Sequence, residues 1–134
     1  MFKKVAHIGI AVKDLKDASQ RFRDLFAVKE SSAESFSSER VNTLMFEIGE
    51  TNVELVQATD GSSAIARFIE KRGEGVHHIS FLVDDLEKEL ARLRKKGFEV
   101  LEGYPRAGAD GCRVAFLHPK RTNGVLVELS EKPR

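Results

Sequence analysis

An internal repeat restricts this chain more than any other feature. "VAHIGIAVKDL" (Val5 to Leu15) lies on "VHHISFLVDDL" (Val76 to Leu86) without gaps, and Val5/Val76, His7/His78, Ile8/Ile79, Val12/Val83, Asp14/Asp85 and Leu15/Leu86 coincide. Each stretch runs into an amphipathic helical pattern, "KDASQRFRDLF" in one case and "EKELARLRKKGF" in the other. Asp14 and Asp85 stand where an N-cap or first-turn acid belongs. Farther on, "NVELVQA" (Asn52 to Ala58) matches "VLVELSE" (Val125 to Glu131) when Glu54 is laid on Glu128. Between helix and final strand each copy has room for two short strands. These are expected near Val28–Ala33 and Val41–Ile48, and near Phe98–Leu101 and Arg113–Leu117, with Gly-rich turns between them. Each copy therefore reads β-α-β-β-β.

Two copies in 134 residues specify one α+β domain of two modules rather than a solenoid of many repeats. The expected organisation is a single domain over residues 1–134, with module 1 over about 1–60 and module 2 over about 74–134. The joining segment, about 61–73, carries a helix near Ser63–Arg72 that ends at Gly73.

Strand alternation then sorts the polar residues. Successive side chains on a strand point to opposite faces. Ala6, Ile8, Ile10 and Val12 share one face, under the following helix, while His7, Gly9 and Ala11 share the other. In the second copy His77, Ile79, Phe81 and Val83 share a face, leaving His78, Ser80 and Leu82 opposite. His78 is thus the counterpart of His7, and His77 is a partly buried or rim residue. Glu54 is flanked by Val53 and Leu55 as Glu128 is by Val127 and Leu129, so both carboxylates face away from apolar neighbours. A charged Glu inside an apolar strand is costly to bury unless paired or metal-bound, and here the arrangement occurs twice. Pseudo-twofold symmetry would gather His7, Glu54, His78 and Glu128 on one concave surface. Two imidazoles and two carboxylates suit a borderline divalent ion: Co²⁺, Mn²⁺, Ni²⁺, Fe²⁺ or Zn²⁺.

Composition excludes several other classes. Apolar residues make up 41% and charged residues 32%, and the formal net charge is +1 with both signs interspersed. Such a balance offers no basic stripe for nucleic acid and no polybasic membrane anchor. No apolar run approaches the roughly 18 residues of a membrane span, and "MFKKVAHIGI" enters a strand pattern without signal-peptide architecture. Cys112 is the only cysteine, which excludes an intramolecular disulfide; the expected location is the cytoplasm, with Cys112 an incidental thiol. The phenylalanines fall mostly on apolar stripes and are expected in the core.

At the repeated His and Glu positions the chain resembles the vicinal oxygen chelate (glyoxalase/bleomycin resistance) superfamily, and within it the methylmalonyl-CoA epimerase family. "HIGIAVKDL", "IARFIEKRGEGVHHI" and "FLHPK…GVLVEL" carry the narrower match, and the resemblance covers essentially the whole chain. It implies two βαβββ modules forming a curved sheet around a metal site. It implies His7, His78 and Glu128 as metal ligands, with Glu54 where the family has Gln or Glu. The implied activity is epimerisation of methylmalonyl-CoA by α-proton abstraction, through an enolate that the metal stabilises. Glu128 is the candidate acid/base as well as a ligand. The resemblance places a second carboxylate on "RVNTLMFEI", where this chain has Asn42 and Thr43; Glu47, the carboxylate on that strand, is displaced from the expected position. A homodimer and an acyl-CoA substrate are further implications.

Arg106, in the loop "YPRAGADGCRV", and Lys120, in "LHPKRTNG", are candidate contacts for CoA phosphate or the acyl carboxylate. Asp84 and Asp85 read as strand-end and helix-start residues. Two competing functions remain open at this level: a glyoxalase I-type isomerase acting on a glutathione hemithioacetal, and a binding protein of the same fold without turnover. The filled set of four ligand positions argues against the binder.

Overall fold

The computed structural model describes residues 1–134 and resolves them into two compact units, Ile8–His77 and Met1–His7 with His78–Arg134. The first strand, β1 (Phe2–Ala11), contributes its two ends to the two units.

In the unit Ile8–His77 the end of β1 is followed by α1 (Leu15–Phe26), β2 (Ser32–Phe36), β3 (Val41–Ile48), β4 (Thr51–Ala58) and α2 (Ala64–Arg72). Its strands lie in the order β2-β3-β4-β1. The Asp14 side chain accepts the Asp17 N–H at 3.1 Å to cap α1, and Ser63 does the same for α2 through the Ala66 N–H. Leu15, Ala18, Phe22 and Phe26 recur at helical spacing and pack on Val12, Phe46 and Leu55. On the opposite side Ile65, Phe68 and Ile69 of α2 cover Ala11, Val41 and Val56. The face assigned to Ile10, Val53 and Leu55 is therefore the one under α1, as alternation requires.

In the other unit the start of β1 is joined by β5 (Gly75–Val83), α3 (Leu86–Lys95), β6 (Arg106–Ala107), β7 (Arg113–Leu117) and β8 (Val127–Glu131), in the order β1-β5-β8-β7-β6. Short 3₁₀ turns occupy Ala109–Gly111 and Pro119–Thr122. Asp85 caps α3 by accepting the Lys88 N–H at 3.1 Å. Glu87 and Glu89 sit in its first turn, and Arg92, Arg94 and Lys95 in its last, in the sense the helix dipole favours. Leu86, Leu90 and Leu93 pack on Val83, Ala115, Leu117 and Leu129. Each of these leucines contributes roughly 1.5–3 kcal/mol by leaving water.

Three expected strands differ from the observed ones. The second strand is Ser32–Phe36 rather than Val28–Ala33, because α1 closes with Ala27 in the left-handed region and Arg23 pairs with Glu30 at 3.1 Å across the following turn. Pairing with β3 starts only at Ser32, opposite Met45, and Val28 stays exposed. Phe98–Leu101 does not form a ladder. Val100 makes one bridge to Leu117, and Gly103, at φ 85°, turns the chain away before pairing resumes at Arg106. The last strand starts at Val127 rather than Val125, since the Val125 N–H is held by the Thr122 carbonyl in the preceding turn. No helix is long and apolar enough to cross a membrane.

Candidate metal centre

β5 and β8 run parallel with Ser80 opposite Glu128, and Phe116 of β7 stands opposite Glu128 from the other side. Val127 and Leu129 turn toward α3, which sends Glu128 and Ser130 to the far face with His78 and Ser80. His7, on the β1 segment of the same unit, comes to the same place. Its Nε2 lies 3.0 Å from His78 Nε2, and the two rings meet edge to face. Glu128 Oε1 is 3.3 Å from His7 Nε2. All three side chains are buried, at 8%, 6% and 6% relative exposure for His7, His78 and Glu128.

The hydrogen bond between the two imidazoles accounts for one of these approaches. At most one proton fits between two imidazole nitrogens at that separation. Glu128 Oε1 is buried without a hydrogen-bond partner, a costly state for a carboxylate oxygen. Atoms about 2.1 Å from a common ion, at angles of 90–109°, stand about 3.0–3.4 Å apart. The observed separations of 3.0 and 3.3 Å match that spacing. The residues present therefore fit a divalent ion. Buried donors of the required kind in this unit are His7, His78 and Glu128.

Glu54 is 6% exposed, on β4 opposite Met45 of β3. It is the one buried carboxylate of the unit Ile8–His77. On β3, Thr43 is buried opposite Val56, and Asn42 is half-buried opposite Gln57, where Ser35 donates to its Oδ1 at 2.6 Å. Glu47 is exposed near the strand's end. The buried part of β3 thus contains no carboxylate. His77 is half-buried with its ring 5.0 Å from that of Phe68 on α2, consistent with a rim residue.

Arg106 lies in β6, not in a free loop, with its guanidinium 4.1 Å from the centre of the Tyr104 ring. Tyr104 packs edge-on against Phe116 at 5.2 Å, and Phe116 against His78 at 5.5 Å. A row of contacting groups therefore links Arg106 to the histidine. Lys120 is exposed on the second 3₁₀ turn, where its backbone N–H donates to His118 Nδ1. The aromatic wall of Tyr104 and Phe116 escaped sequence reasoning, because nothing local distinguishes a wall ring from a core ring. Gln57 and Glu131 were also missed, although both lie three residues after a repeated Glu and the repeat register alone pairs them.

Residues 6–116 match the model of the Glyoxalase/Bleomycin resistance protein/Dioxygenase superfamily. The chain belongs to this superfamily. Its α+β fold of paired β-α-β-β-β modules is the vicinal oxygen chelate fold. The superfamily member is 37% identical over 128 residues to the protein YqjC of Bacillus subtilis, covering 96% of this chain and 91% of that one. It is 35% identical to the ethylmalonyl-CoA/methylmalonyl-CoA epimerase of Cereibacter sphaeroides, with 98% and 99% of the two chains covered. Its structure is similar to that of a Streptomyces coelicolor methylmalonyl-CoA epimerase variant in complex with 2-nitronate-propionyl-CoA. The TM-score is 0.95 at 34% identity, with 100% of both chains covered.

Proposed function

We propose that this superfamily member is a metal-dependent methylmalonyl-CoA epimerase, a cytoplasmic homodimer built from one two-module domain per chain. The observation that carries the reading is the convergence of His7 Nε2, His78 Nε2 and Glu128 Oε1, the last without a hydrogen-bond partner. Two relatives are named methylmalonyl-CoA epimerases, which favours epimerisation over glyoxalase or binder activity.

His7, His78 and Glu128 would hold the ion, with Glu54 the fourth ligand by its repeat position, and Co²⁺ is the first choice among the borderline divalent ions that such a set accepts. When bound, a divalent ion supplies electrophilic stabilisation of the negative charge that develops on the thioester. Glu128 takes the α-proton: the Cα–H bond breaks, its electron pair moves into the thioester carbonyl, and the proton passes to the carboxylate. Return of a proton to the opposite face of the planar enolate inverts the centre, and needs a second acid/base group. Asn42 and Thr43 cannot serve at neutral pH, so that group is not drawn from the buried part of β3. Phe116 and Tyr104 form an apolar wall that keeps water from the carbanionic carbon, and Arg106 and Lys120 meet the anionic groups of the acyl-CoA.

The test is exchange of the methylmalonyl-CoA α-proton with deuterated solvent, measured on protein loaded with Co²⁺. Exchange together with interconversion of the two epimers is the expected result. Bound metal without exchange, accompanied by turnover of a glutathione hemithioacetal, overturns the reading in favour of a glyoxalase. Failure to bind any divalent ion, with His78→Ala behaving as the unmodified protein, overturns both.

A further inference from the structure

Glu131 is a buried carboxylate that the proposed reaction does not use. It is 5% exposed, and its Oε2 accepts the backbone N–H of Leu86 at 2.8 Å and an ion pair from Arg134 at 3.2 Å. In the other unit the Gln57 side chain accepts the backbone N–H of Leu15. Leu86 and Leu15 are the first residues of α3 and α1 and occupy the same repeat position. Each lies eight residues after a histidine of the site, and Gln57 and Glu131 each lie three residues after a glutamate of the site.

Capping alone does not explain the pair. Asp14 and Asp85 already serve as N-caps, accepting the N–H of the third helical residue. The N–H of the first helical residue is one that water or a nearby side chain satisfies in most helices. The Leu86 N–H and the Arg134 ion pair offset the burial of the Glu131 carboxylate, so this contact is a firm tie between β8 and α3. What these two contacts have in common is the pair of elements they connect. Each ties the strand that carries a site glutamate to the helix directly following the strand that carries a site histidine.

Building on the metal-site reading above, we infer that Gln57 and Glu131 are positioning residues that set the reach of Glu54 and Glu128. In the unit containing Glu131 the mechanism is explicit. β8 is held to β5 with Ser80 opposite Glu128, and the tie at Glu131 prevents the end of β8 from sliding or lifting away from α3. Glu128, three residues earlier on the same strand, then has a fixed distance to His7. The element needed is a side-chain oxygen acceptor, not a charge, because neutral Gln57 makes the corresponding contact.

Glu131→Gln and Glu131→Leu separate this role from a purely structural one. Glu131→Gln keeps the acceptor and is expected to bind Co²⁺, followed by its visible absorption, within about threefold of the unmodified protein. Glu131→Leu is expected to weaken Co²⁺ binding about 10–100-fold, the range for groups that orient metal ligands, and to lower kcat more than it raises KM. The ¹⁵N signals of the His7 and His78 rings, recorded without metal, are expected to shift in Glu131→Leu and not in Glu131→Gln. That ring readout holds even if the protein turns out not to be an epimerase, so the two readings fail separately. A folded Glu131→Leu with unchanged ring signals and Co²⁺ affinity overturns the inference. So does a Glu131→Gln variant as damaged as Glu131→Leu, since charge would then be the active property. Should Glu131→Leu not fold, Gln57→Leu carries the same test in the other unit.

Discussion

The two units share a frame and differ in what they place on it. Leu55 in one and Leu129 in the other are both fully buried beside a site glutamate and beneath a helix begun by a capping aspartate. Around that shared frame the polar content diverges. Glu128 has Ser80 opposite it and is followed by Ser130 and Glu131, with Ser80 donating to Ser130 at 3.4 Å. Glu54 is followed by Val56 and Gln57, and Gly9 takes the repeat position of Ser80. Repetition of the frame therefore preserves packing and helix entry, which depend on apolar spacing and one acceptor. It does not preserve chemistry, which depends on single side chains.

The sharpest way to break this comparison is to remove one oxygen charge from each half. Glu128→Gln is expected to lower α-proton exchange about 10²–10⁴-fold, as loss of a general base does, whereas Glu54→Gln, keeping an oxygen donor, costs no more than about tenfold. Equal losses, with Co²⁺ still bound to both variants, would make Glu54 the second proton carrier and the halves chemically equivalent.

Packing should be insensitive to which half is altered. Leu55→Ala and Leu129→Ala are each expected to cost about 2–5 kcal/mol in denaturant unfolding, with values close to one another. A large gap between them would show that the two cores tolerate cavities differently. Smaller again, Asp14→Ala and Asp85→Ala should each cost about 1 kcal/mol, read from the same denaturation curves.

Acid should reveal the one place where the ties differ in charge. The Leu86 N–H, and after it Arg134, hold the Glu131 carboxyl below the ordinary value of 4.5, against the upward push of burial. A depressed folded-state value means that Glu131 contributes stability above pH 4.5, and that this contribution is lost as pH falls through the folded value. Glu131→Gln is therefore expected to show a shallower loss of stability below about pH 4.5 than the unmodified protein, measured by denaturation at several pH values. An unchanged acid limb would mean that Glu131 does not titrate with folding.

Much of this was legible in the chain before any coordinates. The repeat gave the β-α-β-β-β order, and alternation assigned His78 rather than His77 to the open face and Glu54 and Glu128 to the faces opposite their apolar neighbours. Those are local properties: a strand's period of two and a helix's period of 3.6 are written in neighbouring residues. The ends of β2 and β8 and the broken ladder at Phe98–Leu101 were not legible, because a left-handed residue or a turn carbonyl, rather than hydropathy, decides where pairing begins. Tertiary structure alone decided that His7 Nε2 lies 3.0 Å from His78 Nε2 and 3.3 Å from Glu128 Oε1, that Phe116 and Tyr104 wall the histidine, and that Glu131 ties β8 to α3. Each of these depends on the register between strands far apart in the chain, and such register is set by how whole faces pack.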